Sequence, residues 1–342
     1  MVRASCIFML FWMFVLGFFI PEGVGCPPVQ QADVRVVELL KRQAPSLFKE
    51  ATDSILSARF CHDSAMVAVI ARPFLVIWDC KTGNELHKFD FRKEGGLWNV
   101  AFSHDGMFIY VYVSTGLFSG QISKWDLKTG EKVFSVSGHG GLMRCFPGDK
   151  EFACLFDGVV TIRDTRTGAI LRKLQETRKF RGIMGDPFIA IEIRGDKKLR
   201  LRNLKTFKET AAYDLPEGAA SLIQSGKMFQ KLDRNAMSLT FWSVPKGEKV
   251  CTIRSTDRPI RVAFTPDDRI VAVGFVPPDY KMPGGRVSLY DPASGMELMT
   301  LDRPPGRPWA LTFSPDGSLL AASSEQIIQV WRITWPKEKG KK

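Results

Sequence analysis

Seven times along this chain, at intervals of about forty residues, a strand-like run ends on the same phase. The marks are Trp78-Asp79, Trp125-Asp126, Arg163-Asp164, Arg202-Asn203, Trp242-Ser243, Tyr290-Asp291 and Trp331-Arg332. Most run into a polar Thr-Gly or Ser-Gly turn, as in Trp125-Asp126-Leu127-Lys128-Thr129-Gly130. A period of roughly 40–45 residues with this signature belongs to a repeating four-stranded unit. The chain is therefore expected to be a repeat of small sheets, and the repeat alone does not name what it binds.

A second mark lies upstream of each of the first. Phe102-Ser103-His104-Asp105-Gly106, Phe264-Thr265-Pro266-Asp267-Asp268 and Phe313-Ser314-Pro315-Asp316-Gly317 are clear copies. Weaker ones stand at Phe60-Cys61-His62-Asp63, Phe146-Pro147-Gly148-Asp149 and Ile223-Gln224-Ser225-Gly226, and the fourth repeat keeps Met184-Gly185-Asp186. Pro and Asp suit the early positions of a type I turn and Gly its end, so each copy reads as a hairpin turn. The unit then runs as strand a closing on the Phe, strand b after the turn, strand c carrying the Trp-Asp mark and strand d after the Thr-Gly turn. Short runs rich in Val, Ile, Phe and Trp between Gly/Pro/Asp turns indicate all-β structure. The expected architecture is a seven-bladed β-propeller of four-stranded antiparallel blades over residues 45–336. The last repeat stops after strand c, and Pro45–Glu50 is the candidate N-terminal strand that completes its blade and closes the ring. Closure of that kind removes exposed sheet edges.

With both marks in phase, residues 45–335 resemble the WD-repeat family of β-propellers, which implies a scaffold or recognition role. That family also tends to carry a Gly-His pair in the d–a loop. Gly138-His139 matches it here, in a repeat that has Arg163 at the Trp position. Asp-x-x-Thr-Gly also occurs in quinoprotein-like propellers of bacteria, which carry a Trp shortly after the Gly. The corresponding stretches here are Glu131-Lys132-Val133-Phe134 and Ala169-Ile170-Leu171-Arg172. The alternative to a binding scaffold is accordingly an enzyme or cofactor-binding propeller with a site over the central channel.

Residues 1–25 differ from the rest. Arg3 is the one charge before Glu22, Cys6–Ile20 is a largely apolar run, and Gly23-Val24-Gly25 gives a small-x-small cleavage pattern. The run is short for a span of about twenty apolar residues, so it reads as a signal peptide, with an uncleaved anchor as the alternative. The protein is expected to be exported: periplasmic, secreted or tethered outside the cytoplasm. Cys26, just after the presumed cut, is the candidate lipidation site. Residues 26–44 read as linker and 337–342 as a basic tail. Cleavage leaves Cys26, Cys61, Cys80, Cys145, Cys154 and Cys251. Cys145 and Cys154 flank a hairpin in diagonal register, which is unfavourable for a disulfide. The formal charge is +12, which in an exported protein favours acidic macromolecular partners over nucleic acid.

Chemistry-bearing motifs are sparse. His62 and His104 occupy turn positions held by Pro266 and Pro315 elsewhere, His87 falls on a strand d, and His139 has the family's structural role. No zinc-ligand spacing, nucleophile elbow or phosphate loop is present, so no catalytic residue, metal or cofactor is expected. Asp63, Asp105, Asp149, Asp186, Asp267 and Asp316 recur at the hairpin turn, and Asp79, Asp126, Asp164 and Asp291 at the end of strand c. Residues repeated around a ring supply repeated local bonds. Departures from the repeat are more informative, because irregular loops on a rigid scaffold carry function. The b–c connections Ser114–Gly120 and Phe275–Gly285 are long, and the d–a loops are basic. These emerge on one face, where Arg92, Arg178, Arg181, Arg258, Arg303 and Arg307, with Trp98 and Trp309, are the candidate interaction residues for an anionic partner. Lys81, Lys128 and Arg166 lie on the opposite face.

Overall fold

A computed structural model of the chain describes residues 34–43 and most of 55–335, apart from short stretches such as 184–187, 193–197, 217–220, 280–283 and 302–305. Among the described residues the strands assemble into seven four-stranded antiparallel sheets, and six of them are simple meanders in chain order. The first runs Ile55–Phe60, Met66–Ala71, Phe74–Asp79 and Glu85–Asp90, filling positions a to d. Strand a of the following sheets is Gly96–Phe102, Gly140–Cys145, Lys179–Ile183, Ser221–Leu222, Arg258–Phe264 and Pro308–Phe313.

The last sheet departs from the meander. Its a, b and c strands are Pro308–Phe313, Leu319–Ser324 and Ile327–Thr334, and its fourth strand is Arg35–Gln43, antiparallel to Ile327–Thr334. An N-terminal strand does complete this sheet, but it comes from the stretch read as linker. The expected strand around Leu47–Lys49 lies outside the described residues. Burial explains the choice. Val34 and Leu40 are buried on opposite sides of the sheet, and Val36 and Leu39 pack behind them.

Packing is between sheets, face against face. Ala68, Ile70, Leu75 and Ile77 of the first sheet form one core with Val100, Phe102, Ile109 and Val111 of the second. The last sheet buries one face against the sixth through Leu311, Phe313, Leu320 and Trp331, and the other against the first through Ala310, Leu319, Ala321 and Val330. The Ser323 hydroxyl also donates to the Ile55 carbonyl, 3.1 Å across that last junction.

The structure explains why the Trp-Asp mark keeps phase. Opposite each mark, strand d carries one extra residue. Ile77 pairs with His87 and Trp78 with Glu85, which leaves Leu86 unmatched, and the same shift recurs at Trp125, Arg163, Arg202, Trp242 and Tyr290. A bulge of this kind bends and twists the strand at a fixed point. The turn after it is built by the next residue. The Asp79 carboxylate accepts the backbone N–H groups of Lys81 and Thr82 and the Thr82 hydroxyl, while Gly83, at φ 71, donates to the Asp79 carbonyl. Where Arg replaces Trp it makes a matching bond. Trp125 Nε1 donates to the Ser123 hydroxyl, two residues back, and Arg163 Nε donates likewise to Thr161. Arg163 also reaches the Gly168 carbonyl in the turn, as Arg202 reaches that of Phe207.

The a–b turn is built by a different trio. Ser103 Oγ donates to Asp105 and accepts the Phe108 N–H, and Cys61, Thr265 and Ser314 take the place of Ser103 in their turns. The third sheet is shifted by one residue from the reading above. Phe146 takes the Ser103 position, and Asp149, at φ 50, takes that of Gly106. Asp149 therefore does not repeat the role of Asp105. Its carboxylate accepts the backbone N–H groups of His104 and Asp105, at 2.6 and 2.8 Å, and so fastens the third sheet's turn to the second's. Asp268, at φ 62, stands at the same position and reaches back to Lys227 of the fifth sheet at 3.5 Å. Asp186 lies outside the described residues.

Two outcomes follow from this architecture. A chain beginning at residue 45 lacks the outer strand of the last sheet, exposes the edge of Ile327–Thr334, and should aggregate on size-exclusion chromatography; a chain beginning at residue 33 should stay soluble. Acid should also lower the protein's stability. The Cys61 thiol and Ala65 N–H hold the Asp63 carboxyl below its usual range, and backbone and hydroxyl donors of Thr82 and Thr167 do the same for Asp79 and Asp164. Groups lowered on folding stabilise above their unfolded pKa of about 3.9 and lose that contribution as pH falls through the lower folded values. The denaturation midpoint should be level above pH 5 and fall below pH 4; a midpoint that rises in acid contradicts this account.

Candidate functional site

The d–a and b–c connections emerge together because strand direction alternates within each sheet. On the side where strand a begins, a second set of bulges recurs. In the second sheet Leu97 pairs with Val113 and Asn99 with Tyr112, which leaves Trp98 unmatched. The same position is held by Leu56, Gly141, Arg181, Ile260 and Trp309. Three predicted interaction residues, Trp98, Arg181 and Trp309, thus occupy one repeated register position, at a bulge of strand a.

Their surroundings differ. Trp98 is 56% exposed. The Arg72 guanidinium stacks 3.8 Å from its ring centre while Arg72 Nε donates to the Leu97 carbonyl at 2.7 Å. Arg72 sits in the b–c turn of the first sheet, so the pair joins two sheets at the rim. Sequence reasoning missed Arg72 because a single Arg before Pro73 in a short turn breaks no pattern. Trp309 is half-buried, and its carbonyl accepts Arg261 Nε of the sixth sheet at 2.6 Å. Its indole N–H is buried with no acceptor among the described residues.

The predicted arginines are spread over several sheets. Arg92 is exposed and its guanidinium pairs with the Asp90 carboxylate at 2.6 Å, 5.5 Å from the Phe74 ring centre. An exposed pair of this kind contributes little to stability, so Arg92 can exchange Asp90 for another anion at small penalty. Arg258 opens strand a of the sixth sheet opposite Val276, half-buried, and Arg307 stands half-buried just before Pro308. Arg181 is placed by register alone, and Arg178, Arg303 and Cys26 lie outside the described residues.

The long connections also need refining. Ser114–Gly120 is largely strand: Ser114 pairs with Gly120 and Gly116 with Ser119, so the hairpin is extended and carries an exposed Leu117 at its tip. Near the next d–a loop, Arg286 Nε donates to Asp257 at 2.9 Å and its guanidinium lies 4.0 Å from the Phe275 ring centre. On the other face Lys81 and Lys128 are exposed, and the Arg166 side chain is 86% exposed.

Among the described residues the cysteines lie within or beside the packed sheets. Cys145 stands opposite Phe152 and Cys154 opposite Met143, the diagonal arrangement expected from the hairpin. Burial pushes the Cys61 and Cys80 thiols up to about 12 and that of Cys251 to about 11. Thiolate is the reactive form, so these groups are protonated at neutral pH. Among the described residues no cluster of three or more His, Cys, Asp and Glu side chains is arranged to hold a metal. The His62 and His104 rings, in adjacent turns, approach to 3.6 Å between centroids.

Residues 295–332 match the family model described as WD domain, G-beta repeat. No curated protein matches the chain. The matched segment begins at the turn before strand d of the sixth sheet and ends in strand c of the last, so the sequence unit straddles two sheets. This match and the all-strand architecture of four-stranded sheets fit a WD-repeat β-propeller. Propellers of this type generally serve protein interactions.

The thiol chemistry gives a direct check. In native protein at pH 8, Cys61 and Cys80 should react with a disulfide reagent at well under about a tenth of the rate of an unfolded thiol, whose pKa is near 8.5. Denaturant should release them at once. Rapid native labelling of either, located by peptide mass, contradicts this assignment.

Proposed function

We propose that this chain is a non-enzymatic, exported, seven-bladed WD-type propeller that closes its ring with Arg35–Gln43 and recognises an acidic protein through the face bearing the d–a and b–c loops. The observation that carries the reading is the Trp98–Arg72 stack, a large exposed aromatic braced by a guanidinium on the loop-bearing rim. Aromatic and Arg side chains are enriched where interfaces concentrate their binding energy. Basic d–a loops add long-range attraction for an acidic partner, which speeds encounter and weakens with salt. Export rests on residues 1–25, and an N-terminus at or beyond Cys26 in the native protein is the corresponding expectation, with an added acyl mass if Cys26 is lipidated.

The test is differential capture from the protein's own cells. Exchanging Arg178, Arg181, Arg303 and Arg307 for Glu, or Trp98 for Ala, should abolish recovery of the partner, with affinity lower by about a hundredfold for loss of an anchoring aromatic. Exchanging Lys81, Lys128 and Arg166 for Glu should leave recovery unchanged. Equal loss from both sets would reduce the effect to net charge, and no loss from either would retire the reading.

A further inference from the structure

His62 and His104 are far apart in the chain, and the a–b turns of the first and second sheets bring them together. Their rings stand 3.6 Å apart between centroids, tilted by 36°. Each follows directly on the residue that braces its turn, Cys61 in one and Ser103 in the other. Pro147, Pro266 and Pro315 hold this position in the third, sixth and last sheets. Turn geometry therefore asks for no imidazole here, and yet two adjacent turns carry one each. The pair lies on the side opposite the loop-bearing face. His62 is exposed and His104 half-buried, so neither residue is sealed from solvent.

The backbone beneath each ring is fixed. In the first turn Asp63 Oδ1 accepts the Cys61 S–H and the Ala65 N–H, at 2.7 and 3.0 Å. In the second, Asp105 Oδ1 accepts the Ser103 hydroxyl and the Met107 N–H, at 2.6 and 2.9 Å. The Asp149 carboxylate takes the backbone N–H of His104 itself, at 2.6 Å. Met66 of the first sheet packs against the second turn, where a Cβ on Gly106 would sit 3.5 Å from its methyl group. The same bonds hold a carboxylate next in the chain to each histidine, and residues 60–66 and 102–108 contain no Lys or Arg. An imidazole pair in such surroundings suits a cation.

Imidazole nitrogen favours zinc, nickel and copper, whereas magnesium and calcium take oxygen ligands. A tetrahedral zinc ion at about 2.0–2.1 Å from two nitrogens holds them about 3.3 Å apart. Ring centres at 3.6 Å bring the nitrogens of the two rings within that order of separation. Rotation about the side-chain bonds then suffices to aim one nitrogen of each ring at a common point. Among the described residues no third His, Cys, Asp or Glu completes a metal cluster with them, so water fills the remaining positions. Because the two turns are already ordered, little freedom is lost on binding. We propose that His62 and His104 bind one divalent transition-metal ion between them, and that this ion staples the first sheet to the second. The site shares no residue with the loop-bearing face and does not depend on that face binding a partner.

Calorimetric titration of the full chain with zinc chloride at neutral pH tests this, with magnesium chloride as control. Saturable zinc binding is expected, with a raised unfolding temperature, because the two imidazoles meet only in the folded chain. Affinity should fall by about tenfold or more in His62→Gln and in His104→Gln, as loss of a ligand requires. This component should vanish in the double variant and persist in His87→Gln, whose histidine lies on strand d of the first sheet. With EDTA present the variants should unfold at the wild-type temperature, since proline serves at the same position elsewhere; this also shows that they fold. A second measurement needs no variant. Copper(II) bound to the wild-type chain in equimolar amount should show coupling to two imidazole nitrogens by electron paramagnetic resonance. Absence of saturable zinc binding, undiminished binding by the double variant, an equal thermal effect from magnesium, or copper coupled to fewer than two imidazole nitrogens overturns the proposal and leaves the pair as stacked rings.

Discussion

The first, second, sixth and last sheets each have two apolar faces, and much of the structure follows from the need to cover both. Val69 and Val76 point to one neighbour while Ala68 and Ile77 point to the other, and all four are excluded from solvent. A single four-stranded sheet of this composition would leave a face in water. Stacking sheet upon sheet removes that exposure only if the last sheet also finds a partner, and here it packs against the first. The bulges serve the same requirement, since a flat strand cannot keep contact with neighbours that fan outward. Twisting strand d opposite each Trp-Asp mark, and strand a near its start, fits the sheets to one another at both ends.

Much of this was legible because the devices repeat. An Asp that caps its own turn and a Ser or Thr that braces the hairpin use bonds within a few residues, so they leave a local spelling. The reading slipped where a bond or a strand came from elsewhere. Asp149 looks like another turn Asp in the sequence, but it serves the adjoining turn, and nothing within its own hairpin reveals that. Arg35–Gln43 looks like a charged linker because its pairing partner is nearly three hundred residues away. An outer strand with one side open can also carry Glu38 and Lys41 beside Leu40. The candidate site was legible only as composition. Trp98 was found because it begins a strand next to a loop, whereas Arg72 and Asp257 become visible only when the turns of neighbouring sheets are set side by side.

Charge divides between edge and centre in different ways. At the rim, positive groups have company: Asp90 beside Arg92, Asp257 beside Arg286. The Arg92–Asp90 pair is water-exposed, and exchange of one anion for another there is a matter of tenths to about one kcal/mol. The strand-a segments contain no Asp or Glu of their own, so a carboxylate partner for their basic residues has to come from another strand or turn. A net positive balance read from composition alone does not distinguish them.

The matched repeat also has a consequence for how such a chain can change. Because the unit from 295 to 332 gives its first strand to one sheet and its other three to the next, a deletion that ends inside such a unit leaves a sheet incomplete. Loss or gain of a whole unit, by contrast, leaves every junction with the same kind of partner it had before. Lineages of such chains can therefore drift in the number of their sectors more readily than in the make-up of any one of them, and the strand supplied by residues 35–43 acts as the clasp that must be kept whatever the count.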